Sequence, residues 1–527
     1  MKNDQRLAPD SVNQNRAPIR LAAIDIGTNS IRCINVEVDP QGAFRVLDDE
    51  KATVRLGQGL HDSGFISPEA IRRAVEALQR MAKISAGLGA EVAAVVATSA
   101  VRKALNRNQF IRDIKEQTGL EIEVISGTTE AELASLSVNH NFAMKRQRYA
   151  LADIGGGSVE IVVATARHTE TVLSLELGAV FLTEAFVHSD PVSDADYKRL
   201  RKQIRRQLKQ TSIGDGLPVT CLIGSGGTMT NIGSMVMALR GEQFESVHRY
   251  EVLRSEIIHL LAMLRRKSHK ERLQIAGLNP ERADIILAGI VLTNELMRRT
   301  RTNLLRINGQ GIREGLILRS LRERGLINAA EEPRDWRAAV LEFARSCRFD
   351  EPHSLQVERL TRKLFAVLAA DNGLTQRHGQ LLEAAALLHD IGYFINYDRH
   401  HQHSYHLIRH ANLFSFTPQE REIVAQVARY HRKGKPKKSH EAFAQLSRED
   451  RDLVSKLGGI LRLADGLDRR RNGQVDDIVC RLRPGVLELR LQGAGDLSVE
   501  LYGARSKGDL LEKAFGYSLA VTTEESS

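Results

Sequence analysis

The chain has 527 residues, of which 42% are hydrophobic and 27% charged, and it carries a formal net charge of +10. This length predicts three or four domains, and the composition is that of an ordinary globular protein. There is no apolar run of the roughly 18 residues that a membrane span needs, so we expect no membrane partner. The basic charge attracts polyanions such as nucleic acid, acidic lipid or polyphosphate. The aromatic content of 5% offers few stacking platforms, so we expect no nucleic-acid partner.

The N-terminal segment is polar. Residues 1–18 lack the apolar stretch of a signal peptide, and we expect a disordered tail there. The four cysteines, Cys33, Cys221, Cys347 and Cys480, are widely separated, and no pair has zinc-binding spacing. This sparse usage is typical of a reducing compartment, so we expect a cytoplasmic protein.

An internal repeat organises the first half of the chain. In residues 21–32 and again in residues 149–160, an apolar run ends in Asp-Ile-Gly. Two small residues, a serine and a second apolar run follow in both copies. The pattern predicts a strand, a tight turn and a second strand. Glycines in such turns let backbone N–H groups approach an anion closely.

The segment after the first copy mixes helix and strand. Apolar residues recur every three or four positions from Pro68 onward, which predicts a helix, and residues 92–97 form an apolar run typical of a strand. Such mixing predicts an α/β layer fold. Two such halves would form a cleft with one aspartate and one glycine turn on each wall.

Two further glycine-rich stretches could hold phosphates. Residues 224–228 follow an apolar run and precede a predicted helix over 229–237, so helix N–H groups and the helix dipole would favour an anion there. Residues 308–315 contain Arg313, which could pair with phosphate. A single glycine loop is more often only a turn, but four of them favour phosphate binding.

Carboxylates near these loops could provide chemistry. Asp153 and Glu160 can both face the cleft, and oxygen ligands suit Mg²⁺. Glu130 follows threonines that could cap a helix. It could be the base that activates a water molecule. Alternatively, it could be an ordinary acidic residue at a helix start, where a negative charge interacts favourably with the helix dipole. Arg102, at a strand end, could bind phosphate or be an ordinary surface arginine.

Six motifs in order resemble the exopolyphosphatase / guanosine pentaphosphate phosphatase family. They lie at residues 25–30, 97–102, 125–131, 153–160, 224–228 and 311–315, and the match covers about 20–320. That family belongs to the actin, Hsp70 and sugar-kinase (ASKHA) superfamily. The resemblance implies two actin-like, ribonuclease H-like lobes, which we expect at residues 19–148 and 149–328.

The resemblance also implies roles for individual residues. Glu130 matches the family's catalytic glutamate, and Asp153 and Glu160 match its Mg²⁺ ligands. Val159 stands where the family usually has threonine. We expect the missing hydroxyl group to modify the activity of the site without abolishing it. Phosphate contacts are implied for Asn29, Arg102, Gly156, Gly157 and Ser158. The glycine-rich loops extend the expected phosphate-binding set to Asp25, Gly27, Thr28, Ser30, Gly155, Gly226, Gly227, Thr228 and Arg313. The family releases orthophosphate from the end of inorganic polyphosphate, and some members convert pppGpp to ppGpp. By analogy with the long members of the family, we expect this chain to form a homodimer.

The sequence of the second half predicts a helical domain followed by a small C-terminal module. A polar, proline-containing break at 331–335 predicts a linker, and we expect a helical domain at 329–474 and a small α/β module at 475–527. Over about 340–470 the chain resembles the HD phosphohydrolase superfamily. The resemblance and the donor types suggest a second divalent metal, such as Mn²⁺, Fe²⁺ or Mg²⁺, on His353, His389, Asp390 and Asp465. His401, His403 and His431 could extend the set; satisfied core histidines are the alternative.

Three alternatives remain beside an exopolyphosphatase. They are a (p)ppGpp-binding regulator with little turnover, an additional metal-dependent phosphohydrolase activity of the HD-like domain, and a relative of the sugar kinases. The sequence does not rank polyphosphate against pppGpp, because both end in a phosphoanhydride.

Overall fold

The computed structural model describes residues 18–523, apart from residues 41, 143, 145–146, 167, 328–334, 414 and 433. The expected tail up to residue 17 and the expected linker at 331–334 lie outside the described residues. The described residues form two compact units, one of 18–240 with 246–327 and one of 241–245 with 335–523. No helix within these ranges combines the length and apolar character that a bilayer crossing requires.

The first unit begins with a five-stranded sheet. Its strands are β1 (Ile19–Ile26), β2 (Ile31–Val38), β3 (Phe44–Ala52), β4 (Glu91–Ala97) and β5 (Glu123–Val124). The order is β3-β2-β1-β4-β5, with β1 antiparallel to β2 and parallel to β4. The accompanying helices are α1 (Leu60–Ser63), α2 (Pro68–Gly87), α3 (Ser99–Lys103), α4 (Arg107–Thr118) and α5 (Gly127–Asn141).

A second sheet of the same unit repeats this topology. Its strands are β6 (Arg148–Ile154), β7 (Val159–Thr165), β8 (His168–Leu175), β9 (Leu222–Ser225), β10 (Glu251–Leu253) and β11 (Leu304–Ile307). The order β10-β11-β9-β6-β7-β8 matches the first sheet, with one added edge strand. The helices are α6 (Ala179–Phe186), α7 (Asp194–Lys209), α8 (Gly227–Leu239), α9 (Arg254–Arg265), α10 (His269–Arg272), α11 (Ile286–Arg299) and α12 (Ile312–Glu323), with a 3₁₀ turn at Pro280–Arg282.

The predicted repeat is therefore confirmed as two equivalent hairpins. Asp25 pairs with Arg32 across β1 and β2, and Asp153 pairs with Glu160 across β6 and β7, at the same position of each hairpin. The predicted helix from Pro68, the strand over 92–97 and the helix over 229–237 are also confirmed, as α2, β4 and α8. The sheets and helices confirm the predicted α/β fold of two actin-like lobes.

Helices α5 and α12 connect the two sheets. Val138 of α5 belongs to the buried cluster of Leu151 in the second sheet, whereas Ile317 of α12 belongs to that of Leu21 in the first. The two helices pack so closely that a Cβ atom at Gly315 would overlap the Leu133 carbonyl. The loops that precede both helices are thereby fixed beside the hairpin turns.

A buried carboxylate joins α7 to α11. The Glu295 side chain is fully buried and accepts hydrogen bonds from Arg201 (2.6 Å), Arg205 (2.9 Å) and Arg298 (2.7 Å). Burial alone would raise the pKa of Glu295, but the hydrogen bonds from the three arginines outweigh it and lower this pKa to about 2. The ionised carboxylate therefore stabilises the packing of these helices.

We expect Glu295→Gln to lower the free energy of unfolding at pH 7 by about 1–3 kcal/mol, because a neutral amide holds the three half-exposed arginines less strongly. Urea unfolding of wild type and variant measures this difference. It should shrink as the pH falls from about 4.5 towards 2, since the wild-type carboxylate takes up a proton there. Glu323→Gln, at an exposed carboxylate 3.9 Å from Arg319, is the control and should change stability by less than about 0.5 kcal/mol. Equal losses in both variants would contradict the assignment.

The second unit is mostly helical. Its helices are α13 (Trp336–Ser346), α14 (Glu351–Leu368), α15 (Gln376–Leu388), α16 (His400–His410), α17 (Pro418–Arg429), α18 (Glu441–Ala444) and α19 (Arg448–Leu467), with 3₁₀ turns at Ala370–Asn372 and Ile391–Phe394. A small sheet follows, of β12 (Asp477–Arg483), β13 (Val486–Gln492) and β14 (Ser518–Thr523), with α20 (Ser498–Lys507) and α21 (Asp509–Phe515). Leu457 of α19 and Leu489 of β13 share one buried cluster, so helices and sheet form a continuous core.

Candidate active site

Two equivalent turns form the walls of a cleft in the first unit. The Gly27 N–H donates to the Ser30 carbonyl (3.1 Å), and the Gly155 N–H donates to the Ser158 carbonyl (3.0 Å). Each turn follows the strand that carries Asp25 or Asp153. The repeated sequence thus places one carboxylate and one glycine turn on each side, as predicted.

The turns approach each other too closely for side chains larger than glycine. A Cβ atom at Gly157 would lie 2.6 Å from Ser99 Oγ and 3.0 Å from Thr28 Oγ1. One at Gly156 would lie 2.9 Å from Thr28 Cβ. Glycines here leave backbone N–H groups accessible to an anion in the cleft.

The cleft contains nearly all of the site residues expected from the sequence. Polar and glycine residues of both lobes line it: Asp25, Gly27, Thr28, Asn29, Ser30, Arg32, Thr98, Ser99, Glu130, Asp153, Gly155, Gly156, Gly157, Ser158, Glu160, Gly226, Gly227, Thr230, Arg282, Gly309, Gln310, Gly311, Arg313 and Glu314 among them. Of the expected residues, only Arg102 and Thr228 are not among these described lining residues.

Arg102 and Thr228 make other contacts. One guanidinium nitrogen of Arg102 donates both to Glu130 Oε1 and to the Ile125 carbonyl (2.7 Å for the latter). Arg102 therefore orients Glu130. The Thr228 side chain is buried against α11, where a Cβ atom at Gly289 would lie 2.5 Å from its methyl group.

Glu130 lies in the first turn of α5, and the helix cap differs from the prediction. Ser126 caps the helix, because its Oγ accepts from the Thr129 N–H (3.0 Å) and its backbone is extended. The threonines expected to cap already lie inside the helix, so that expectation is wrong. The Glu130 side chain is only 4% exposed, and α5 holds it in the cleft.

Burial makes the carboxyl groups of the cleft weak acids. It raises the pKa of Glu130 to about 7, although the hydrogen bond from Arg102 opposes the shift. It also raises the pKa of Asp153 to about 7, with added repulsion from Asp25, and that of Asp25 to about 6. The pKa of Glu160 is raised well above its usual value by burial and by Glu130. A carboxyl with a pKa near 7 suits proton transfer at neutral pH.

The donor set fits a phosphate with a bound cation. Asp25 Oδ1 and Asn29 Nδ2 are buried and have no hydrogen-bond partner among the described residues. When they are ionised, the buried carboxylates of the cleft repel one another, and a bound cation would offset that repulsion. Oxygen donors from Asp153 and Glu160 are the ligands that Mg²⁺ prefers.

Two arginines of the cleft were missed by the sequence analysis. Arg32 occupies in the first hairpin the position that Glu160 occupies in the second, so the repeat itself contained the signal. Arg282 lies over Gly227 at the end of a 3₁₀ turn, and no sequence pattern marks it. Arg313, which was expected to bind phosphate, pairs here with Asp49.

The four metal-binding candidates of the second unit come together. His353 Nε2 lies 3.6 Å from Asp465 Oδ1, and His389 Nε2 lies 3.5 Å from Asp390 Oδ2. His431 also belongs to the cluster, 3.4 Å from Asp390 Oδ1. A fourth histidine, His400, also belongs to the cluster, with its Nε2 atom 3.3 Å from the same oxygen of Asp390. His401 and His403 are not in either group of described potential ligands.

Comparisons with known proteins agree with this geometry. A model of the Ppx/GppA phosphatase family matches residues 2–324, and a model of Ppx/GppA phosphatase domain III matches residues 337–496. An exopolyphosphatase from Cytophaga hutchinsonii is 27% identical, covering 58% of this chain and 98% of that chain, with a TM-score of 0.54. The Aquifex aeolicus Ppx/GppA family member is 26% identical, covering 58% of this chain and 99% of that chain, with a TM-score of 0.51.

Proposed function

Since this chain belongs to the Ppx/GppA phosphatase family, we propose that its cleft removes the terminal phosphate of inorganic polyphosphate with the help of Mg²⁺. The observation that carries the proposal is Glu130, a buried carboxylate that Arg102 orients beside two glycine turns. The similar Cytophaga hutchinsonii protein is itself an exopolyphosphatase. The basic charge of the chain suits a polyanionic substrate.

In the proposed complex, the glycine turns hold the terminal phosphates. Backbone N–H groups of Gly156 and Gly157 and the unpaired Asn29 amide supply hydrogen bonds to phosphate oxygens. Asp153 and Glu160 are the residues that would hold Mg²⁺. When bound, Mg²⁺ would neutralise charge on the phosphate oxygens.

Glu130 would orient the attacking water and accept its proton. The water oxygen forms a bond to the terminal phosphorus while the bond from that phosphorus to the bridging oxygen breaks. The products are orthophosphate and a polyphosphate shorter by one unit, whose new end carries the former bridging oxygen. Arg102 acts as a positioning residue, because it fixes the Glu130 side chain through a charge-assisted hydrogen bond.

The same chemistry extends the proposal to pppGpp. Its terminal phosphate is joined by the same kind of anhydride, and the turns contact phosphate oxygens without requiring a particular leaving group. By resemblance to long family members we also propose a homodimer, which light scattering would test.

The test is phosphate release from long polyphosphate, short polyphosphate and pppGpp, measured side by side with the full chain. We expect turnover of polyphosphate in the presence of Mg²⁺ and its loss after chelation with EDTA. Binding of pppGpp or ppGpp by calorimetry without release of phosphate would instead support the regulator alternative. If none of the three anhydrides is cleaved at any Mg²⁺ concentration, the proposed function is wrong.

A further inference from the structure

A cavity of about 340 Å³ opens on the second unit and is lined mainly by residues of α16, α17 and α18. Its volume falls within the roughly 300–1,000 Å³ that small-molecule sites usually occupy. It shares no described residue with the cleft of the first unit or with the potential metal ligands around Asp390. Most of its lining is polar, with Gln402, Tyr405, His406, Arg409, Arg429 and Glu441 among the lining residues.

Contacts within the second unit hold the floor of this cavity in place. Tyr405 is only 3% exposed, and its hydroxyl donates to Glu422 Oε1 (3.0 Å). The same oxygen accepts from the Gln426 amide (2.8 Å), and Arg409 Nε lies 3.4 Å from the other oxygen of Glu422. A site whose side chains are already ordered loses little conformational entropy when a ligand binds.

Arg429 brings an unneutralised positive charge to the cavity. Its guanidinium carbon lies 5.2 Å from the ring centre of Tyr405 and 5.7 Å from that of Tyr430. Within the described part of the chain it has no ion pair and donates no side-chain hydrogen bond. The two aromatic rings attract the guanidinium but leave its N–H donors available. These donors can therefore bind an anion in the cavity.

The surroundings of Arg429 are also positive. Burial lowers the pKa of His406, and the nearby cationic groups His410, Arg429 and Arg409 lower it further. A guanidinium with available donors binds phosphate through two parallel hydrogen bonds. A phosphate ester also carries up to about two negative charges near pH 7, more than a carboxylate does. This end of the cavity is therefore best suited to a phosphate group.

The α18 side of the cavity has the opposite character. Glu441, an exposed residue at the start of α18, lines the same cavity, together with the amide side chains of Gln402 and Gln445. A carboxylate repels a bare phosphate ion but accepts hydrogen bonds from hydroxyl groups. A ligand that fits both ends has a phosphate at one end and hydrogen-bond donors at the other.

The aromatic residues of the lining argue against a nucleobase. Bases usually bind proteins by stacking on an open aromatic face. The Tyr405 ring is buried and has the Arg429 guanidinium over it. The ring of His406 is turned edge-on to that of Tyr405, with 72° between the planes. The donor groups of the ligand are therefore better supplied by the hydroxyl groups of a sugar.

We infer that this cavity binds a sugar phosphate, with its phosphate on Arg429 and its hydroxyl groups toward Glu441 and the neighbouring glutamines. The binding is non-covalent and requires no metal ion. The inference concerns the second unit alone and does not rest on the function proposed for the cleft.

Calorimetric titration of the full chain with glucose 6-phosphate tests the inference, in EDTA so that no metal ion binds phosphate elsewhere. We expect one equivalent to bind, at least about 10-fold more tightly than glucose or inorganic phosphate. Arg429→Gln should weaken binding by about 10–100-fold, because the charge-assisted hydrogen bonds are lost. Arg429→Lys keeps the charge and should lose less. Arg448→Gln, at an exposed arginine of α19 outside the cavity, is the matched control and should bind like wild type.

A second variant probes the other end of the cavity. Glu441→Gln should reduce the preference for glucose 6-phosphate over inorganic phosphate, because the repulsion of a bare phosphate is removed. Thermal melts without ligand separate loss of the site from loss of the fold, and if Arg429→Gln does not fold, Arg429→Lys and Glu441→Gln decide. The inference is wrong if wild type does not bind glucose 6-phosphate, if inorganic phosphate binds as tightly, or if folded Arg429→Gln binds as wild type does.

Discussion

Replacing Glu130 by glutamine is expected to slow phosphate release from polyphosphate by about 10²–10⁴-fold, the usual contribution of a positioned general base. The amide oxygen can still accept the hydrogen bond from Arg102 that the carboxylate accepts in the native protein. The amide cannot take a proton from water at neutral pH. We therefore expect kcat to fall while the fold and the affinity for polyphosphate are retained.

The measurement is steady-state phosphate release, with binding and thermal melting recorded for the same preparations. Glu132→Gln changes an exposed carboxylate two residues further along α5 and should leave kcat within a factor of about two. An E130Q enzyme as fast as wild type would show that water is activated by another group. The other acidic residues that line the cleft, Asp25, Asp153, Glu160 and Glu314, would then be the candidates.

Adding one methyl group at Gly178 is expected to reduce kcat/KM by about 100-fold, because displacing a binding loop by about an ångström has that order of effect. Gly178 precedes α6, and a Cβ atom there would overlap the backbone of Gly156 and Gly157. Backbone atoms cannot move aside as a flexible side chain can. The turn that is proposed to hold phosphate would have to shift.

The Gly178→Ala experiment compares kcat/KM for polyphosphate with the midpoint of thermal unfolding. Gly87→Ala is the control, since a Cβ atom at that position meets nothing within 4 Å and both variants add the same methyl group. We expect the control to match wild type in both measurements. If Gly178→Ala retains full activity, the position of the Gly155–Gly157 turn is not important for turnover.

The repeated hairpins could be predicted because their pattern is local. An apolar run, Asp-Ile-Gly, two small residues and a serine specify strand, turn and strand within a dozen positions, and both copies form as predicted. The repeat itself predicted Asp25 and Asp153 on the two walls of one cleft, and the resemblance to a known family added Glu130; the structure places all three in that cleft. Asp25 and Asp153 lie near the ends of their strands and Glu130 lies in the first turn of its helix, so each is positioned by an element with a clear sequence signature.

Contacts between distant segments could not be predicted. Arg313 pairs with Asp49, far away in the chain, and nothing in either segment indicates the other. Helical periodicity shows which face of α12 is apolar but not that it covers the first sheet. His400 was missed because the start of α16 determines which of its successive histidines faces Asp390, and a run of polar residues gives no start signal.

The equal registers of the two hairpins make the cleft symmetric in backbone and asymmetric in charge. Where the first hairpin sets a guanidinium, Arg32, opposite its aspartate, the second sets a carboxylate, Glu160. A pocket related by true twofold symmetry would accept a chain of identical phosphate units in either direction. Here the two walls differ in charge, so in the proposed complex a polyphosphate chain would bind in one favoured direction and would present its end group to the same wall each time.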